Sequence, residues 1–181
     1  MADGFVAAVR TVAGFGFRKG QPAPDTSGIT WAHAIFGIGI ALAIQLGLLA
    51  YPLVQVPAAL PVVIELGIIA VAALAVPFVV IGATAGLTRR AEKLPATFLY
   101  LAFCLVLMEL ALFALSFVFD SGRSSAGLGV LAVFCYFAAR RVLGVSSGVS
   151  VLAALLVVVG TLGVGFLLLA LPTGQAMLAA R

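Results

Sequence analysis

Long apolar stretches alternate with short polar ones along this chain. The apolar runs extend from about Ile29 to Tyr51, Ala58 to Leu87, Pro95 to Phe119, Ala126 to Ala139 and Val151 to Leu171. A helix of about 20 such residues matches the roughly 30 Å hydrocarbon core of a bilayer. The pattern therefore predicts an all-α fold, a polytopic bundle of about five transmembrane helices over residues 29–181, preceded by an N-terminal segment and linker over 1–28.

The breaks between runs carry turn chemistry. QPAPDTSG (21–28) is a linker in which Asp25, Thr26 or Ser27 can cap the first span. Pro52, Pro57 and Pro61 crowd the next turn, and Pro77 predicts a kink within the second span. Arg89, Arg90, Glu92 and Lys93 close that span, DSGRSS (120–125) closes the third, and Pro172, Thr173 and Gly174 end the fifth. Trp31 and Tyr51 suit the aromatic belts at the two membrane interfaces.

The fourth run, 126–139, is short: at 1.5 Å per residue it reaches only about 21 Å. It must begin inside the preceding turn, continue past Arg140 and Arg141, or cross where the bilayer thins.

Before the first span, Phe5, Val9 and Val12 share a helical stripe edged by Val6 and Ala13, with Phe15, Phe17, Arg18 and Lys19 after it. This predicts a short amphipathic helix on the membrane surface, or a partly ordered tail given Gly14, Gly16 and Gly20. Arg10, Arg18 and Lys19 interrupt the apolar character that a cleaved signal peptide needs.

Composition makes lipid the expected solvent. Of 181 residues, 64% are hydrophobic and 9% charged, and mean hydropathy is +1.29; soluble domains run near half apolar and a quarter charged. The net charge of +4 does not point to nucleic acid, because the cations cluster beside apolar runs. Arg10, Arg18, Lys19, Arg89, Arg90, Lys93, Arg140 and Arg141 fall on one side of five alternating spans, leaving Arg123 and Arg181 on the other. The positive-inside rule then predicts a cytoplasmic N-terminus and an outside C-terminus. Abundant Ala, Gly, Val and Arg with little Lys point to a bacterial cytoplasmic membrane.

Candidate chemistry is sparse. Glu65 and Glu109 stand within predicted spans, where a carboxylate is expensive and marks a functional candidate by default. Counted from the outer ends of their helices they lie roughly 10 and 15 Å deep, with Gln45 roughly 9 Å deep. The three can form one polar layer that takes a cation, a proton or a polar ligand, or each Glu can hydrogen-bond a neighbouring helix. His33 is a conceivable haem or pigment ligand, but a lone interfacial His more often hydrogen-bonds locally. Cys104 and Cys135 sit in apolar runs as small hydrophobes. No catalytic motif, metal-ligand spacing or phosphate loop is present, so no enzyme, metal or cofactor is expected. Gly37, Gly39, Gly82, Gly86, Gly144 and Gly148 belong to small-residue pairs at four-residue spacing, which let helices approach closely within the bundle or across to another subunit. Gly160, Gly163 and Gly165 add a smooth patch to the last span.

Two passages, LTRRAEKLPATFLYLAF (87–103) and RRVLGVSSGVSVLAALL (140–156), give a basic connection leading into a proline-led helix, then a short span ending in a basic, Gly- and Ser-containing turn before a long last helix. This order resembles the Yip-domain family of small five-span membrane proteins. The resemblance implies an interaction or scaffold protein without assigned catalytic residues. The expected function is thus noncatalytic, binding or organising other membrane components, with the bilayer and other membrane subunits or a second copy as partners. A small transporter or channel component using Glu65 and Glu109, and an accessory subunit of a respiratory or photosynthetic complex, are the alternatives.

Overall fold

A computed structural model describes residues 2–17, 25–55, 60–116 and 123–171. Arg18, Lys19, Gly20, residues 21–24, Pro57, Phe119, Asp120 and the chain from Pro172 to Arg181 lie outside the described residues, as do the side chains of Tyr51, Pro52 and Pro61. The fold is all-helical. Six α-helices follow in order among the described residues: α1 (Ala2–Phe17), α2 (Trp31–Gln55), α3 (Leu60–Leu87), α4 (Leu94–Ser116), α5 (Arg123–Phe137) and α6 (Ser147–Ala170). A 3-10 turn, Ala91–Lys93, leads into α4, and a π-helical segment, Ala138–Leu143, extends α5.

Four of these helices, α2, α3, α4 and α6, are long and apolar enough to cross a membrane. Their outer surfaces are apolar as well. Leu155, Val159 and Phe166 on α6 and Ile68 and Val79 on α3 are all more than half exposed. Water would penalise such contiguous apolar surface by about 25 cal/mol per Å², whereas lipid does not.

Helix α4 is the central column. Some 39% of its candidate span is buried, against 17 to 22% in the other three, and its covered face includes Ala96, Leu99, Leu101, Ala102, Leu105 and Met108. Helices α2 and α4 run in the same direction. Trp31 and Phe98 meet edge-on at 5.7 Å near their starts, and Gly37 lies against Leu99 and Ala102 further on. Helix α3 runs the other way, with Gln45 reaching Ala70 at one level and Phe78 meeting Phe98, centroids 5.2 Å apart, at another. Gly160 of α6 packs on Val76 of α3, and Gly127 of α5 on Leu112 of α4.

Local chemistry explains the boundaries, and several differ from expectation. Asp25 does not cap α2. Its carboxylate accepts the Ser27 backbone N–H at 2.9 Å and the Ser27 hydroxyl at 3.0 Å, which holds its carboxyl below the usual range. The helix instead starts after Thr30, whose N–H donates to Nδ1 of His33 at 3.1 Å, as in one half of a capping box. Helix α3 continues through buried Pro77, which lacks an N–H for the Ala73 carbonyl.

The short fourth run resolves in two of the expected ways at once: α5 begins at Arg123 inside the polar turn, and π-helical turns carry the path past both arginines to Leu143. Helix α1 is real, but its stripe meets protein. Val12 is fully buried and Ala8 nearly so, and the Phe5 ring stands edge-on to Phe36 at 4.8 Å between centroids, while Val6 is exposed. Between α1, α2 and α4 an apolar crevice of about 140 Å³ remains, lined by Phe5, Val9, Gly37, Ile40, Leu99 and Phe103 among others.

A Cβ at Gly37 would lie 2.7 Å from Cδ1 of Leu99, itself 1% exposed. Gly37→Ala should therefore lower stability by about 1–3 kcal/mol, read as a lower thermal midpoint in detergent. Gly39→Ala, two residues away with open space around it, should not.

Candidate functional site

The predicted polar layer is only partly assembled. Gln45 is half-buried on α2 and donates from Nε2 to the Ala70 carbonyl at 3.4 Å, a long bond, while its Oε1 is buried with no donor. Gln45 lies eight residues beyond Gly37, and Glu109 lies seven beyond Ala102, which packs on Gly37, so the two share a depth on parallel helices. Both glutamates are half-buried and both are engaged by other groups. Glu65 lies five residues from Ala70 on α3, about 7.5 Å further toward the other end, so it falls outside the Gln45 level. A second orphan, Thr161 Oγ1 on α6, is buried without a partner; with one hydroxyl in an apolar run, only its side chain type marks it in the sequence.

The six candidate glycines divide into three roles. Gly37 and Gly82 face inward, where a Cβ would meet Leu99 and Phe98. Gly39, Gly86 and Gly148 are exposed with nothing within 4 Å. Gly144 is not a helix-packing residue: it ends the π-helical segment in the left-handed region at φ 76°. Gly160, read from the sequence as part of a smooth patch, is a tight contact, with a Cβ there 2.9 Å from Val76. Gly47, four residues beyond Ala43, continues the outward Gly39–Ala43 face and was missed although its spacing signals it.

The most constructed feature lies at the end of the bundle where α3, α5 and α6 meet the start of α4. Helix α3 ends in a Schellman motif, with Arg90 N–H bonded to the Ala85 carbonyl at 2.8 Å and Arg89 N–H to Gly86 at 3.2 Å. Its left-handed residue is Arg89, at φ 55°, where glycine is usual. Opposite it, Gly144 and Val145 both donate to the Ala139 carbonyl, closing the second connection. Arg140 donates from Nη1 to the Val145 carbonyl at 2.8 Å, and Arg141 stacks on Phe137 at 4.8 Å.

The missing side chain at Gly144 admits cations from the other connection. A Cβ there would stand 3.1 Å from Nη1 of Arg90 and 3.4 Å from Nζ of Lys93. The two charges are thus at most about 6.5 Å apart, the sum of those distances. Like charges at that separation repel by roughly 0.6 kcal/mol in water and about 2.5 kcal/mol at the effective dielectric near a protein surface. Glu92, the acid of this connection, is exposed, and neither Arg90 nor Lys93 forms an ion pair or side-chain hydrogen bond with a described residue.

His33 is committed to the α2 start. Its Nδ1 accepts from Thr30, so its neutral ring carries the proton on Nε2, which faces Gly4. Cys104 and Cys135 are free and buried. Among the described residues no group of three or more His, Cys, Asp or Glu is placed to hold a metal ion.

Fold and composition together define a helical protein with several helices long and apolar enough to cross a membrane. Compared with known protein families, curated proteins and solved structures, the chain matches none. The resemblance to the Yip-domain family accordingly has no support beyond the two passages that carry it.

Gly144→Ala places a side chain at positive φ against Arg90 and should cost about 1–2 kcal/mol. Gly148→Ala, in the first turn of α6 with free space, should leave the thermal midpoint unchanged or raise it. A matched pair of melts in the same detergent decides this.

Proposed function

We propose that this chain is a noncatalytic, five-span protein of a bacterial cytoplasmic membrane that binds or organises other membrane components. The span additional to the four long helices, fourth in chain order, is the path from Arg123 to Leu143, fifteen α-helical residues followed by six π-helical ones, about 30 Å if each residue rises as in an α-helix. With five spans the basic end of the bundle faces the cytoplasm together with the N-terminus. A Yip-like arrangement of the second half belongs to the same reading.

The observation that carries the reading is the outward stripe of α2. Gly39, Ala43 and Gly47 recur every four residues on an exposed face, and nothing lies within 4 Å of either glycine. Between apolar helices in lipid no hydrophobic drive exists, and close backbone approach across small residues supplies the attraction instead. A face of this kind suits another helix, from a partner subunit or a second copy.

A second reading rests on the orphan Gln45 Oε1 at the depth of Glu109. A buried acceptor without a donor is costly, and a cation or N–H ligand reaching this level of α2 relieves it. The chain is then a small transport component. Glu65→Gln with Glu109→Gln in reconstituted vesicles abolishes flux under this reading, and absence of flux from the wild-type chain removes it.

Gly39→Leu with Ala43→Leu should leave the monomer's melting unchanged but reduce recovery of a cross-linked partner or dimer from native membranes several-fold. Equal recovery contradicts the docking role. Reporter fusions should place the N-terminus in the cytoplasm and a tag after residue 181 outside; both on one side would mean an even number of spans.

A further inference from the structure

We propose that Arg90, Lys93 and Arg140, gathered around Gly144, form a binding site for the headgroup phosphate of an anionic phospholipid. The inference rests on the membrane reading of the bundle but not on its partner or transport role.

Charge comes first. Arg89, Arg90, Lys93, Arg140 and Arg141 stand on the two connections at this end, against Glu92 alone. The positive-inside rule accounts for cations at one end of a bundle, but it does not require two of them to converge on one residue. Here Nη1 of Arg90 and Nζ of Lys93 both come within 3.4 Å of the point that a Gly144 Cβ would occupy. Arg140 is held one residue away by its bond to the Val145 carbonyl, leaving its remaining guanidinium N–H groups to donate elsewhere.

The spacing fits a phosphate. Charge-assisted N–H···O bonds run about 2.7–2.9 Å, so one or two oxygens of a single phosphate span cations no more than about 6.5 Å apart. A bound anion also turns the repulsion between Arg90 and Lys93 into two attractions. Arg supplies the planar fork and Lys a point charge, a pairing suited to a phosphodiester.

Depth identifies the source of the phosphate. Trp31, 48% exposed, and Leu87, 87% exposed, flank the same end. An exposed indole marks the headgroup level, and Leu87, two residues before Arg89, needs an apolar neighbour that a free phosphate ion cannot supply. A lipid places its phosphate on the cations and its chains beside Leu87. Basic pockets between membrane helices take anionic headgroups in this way.

The test is native mass spectrometry of the full chain released from a neutral detergent. The chain is titrated with phosphatidylglycerol and, separately, with phosphatidylcholine of the same acyl chains. The wild-type chain should hold phosphatidylglycerol roughly thirtyfold more tightly, which is about 1 kcal/mol for each of the two converging cations, Arg90 and Lys93. Arg90→Gln with Lys93→Gln should erase that preference, whereas Arg89→Gln, which removes one charge from an exposed neighbour, should keep most of it. Millimolar inorganic phosphate should not displace the lipid. Equal retention of the two lipids by the wild-type chain overturns the proposal without needing any variant to fold. So does an Arg89→Gln loss as large as that of the double variant, which would mean bulk charge, or displacement by inorganic phosphate, which would mean a soluble ligand. Failure of the chain to enter detergent micelles as a helical particle would instead strike at the membrane reading.

Discussion

The arrangement depends on burying one apolar helix inside a ring of others in a solvent that is itself apolar. Lipid offers α4 no reason to leave it, so the contacts that hold Leu99, Leu101, Ala102 and Leu105 under cover must come from shape. Gly37 provides the closest approach, because its missing Cβ lets Leu99 sit where a side chain would otherwise be. Gly160 does the same for α3 and α6 through Val76. Helical hydrogen bonding meets the backbone's polar groups inside each helix, as the bilayer requires, except at the Ala73 carbonyl that Pro77 leaves without an N–H, which leaves side-chain fit as the term that orders the bundle.

That packing has consequences at the ends. With α2, α4 and α6 pointing one way and α3 and α5 the other, the α3–α4 and α5–α6 connections meet at the same end. Each is closed by a left-handed residue, Arg89 in one and Gly144 in the other. The first turns the chain so that Arg90 and Lys93 reach across, and the second leaves them room. A cationic end results from two helix caps as much as from the charge count.

The helices were largely legible in the sequence, because apolar runs bounded by Pro, Gly and charged clusters leave little choice of element in lipid. Depth along the membrane was legible only in part: counting from the helix ends put Gln45 level with Glu65 and Glu109 deeper, whereas the packing sets Gln45 level with Glu109 and Glu65 about 7.5 Å away. Rotation about each helix was not. Gly37 and Gly39 are two residues apart, yet one is pressed on Leu99 and the other is open, and no spacing rule distinguishes them. The α1 stripe likewise pointed to the membrane surface, whereas Ala8 and Val12 are buried against protein, because an apolar stripe does not distinguish lipid from another helix. Extension of α5 to Leu143 was legible as a need for length, but its π-helical form depends on how Ala138, Ala139, Val142 and Leu143 pack.

A nitroxide scan along α4 in lipid vesicles tests the central claim most directly, through collision with oxygen and with a water-soluble nickel chelate. From Ala96 to Leu105 oxygen contact should stay low at every position. Beyond Val106 it should oscillate with helical period, peaking near Leu107, Leu110 and Leu115, which are exposed, while nickel contact stays low throughout. Oscillation of equal amplitude from Ala96 onward, or strong nickel contact in the middle of the helix, would contradict a buried central α4.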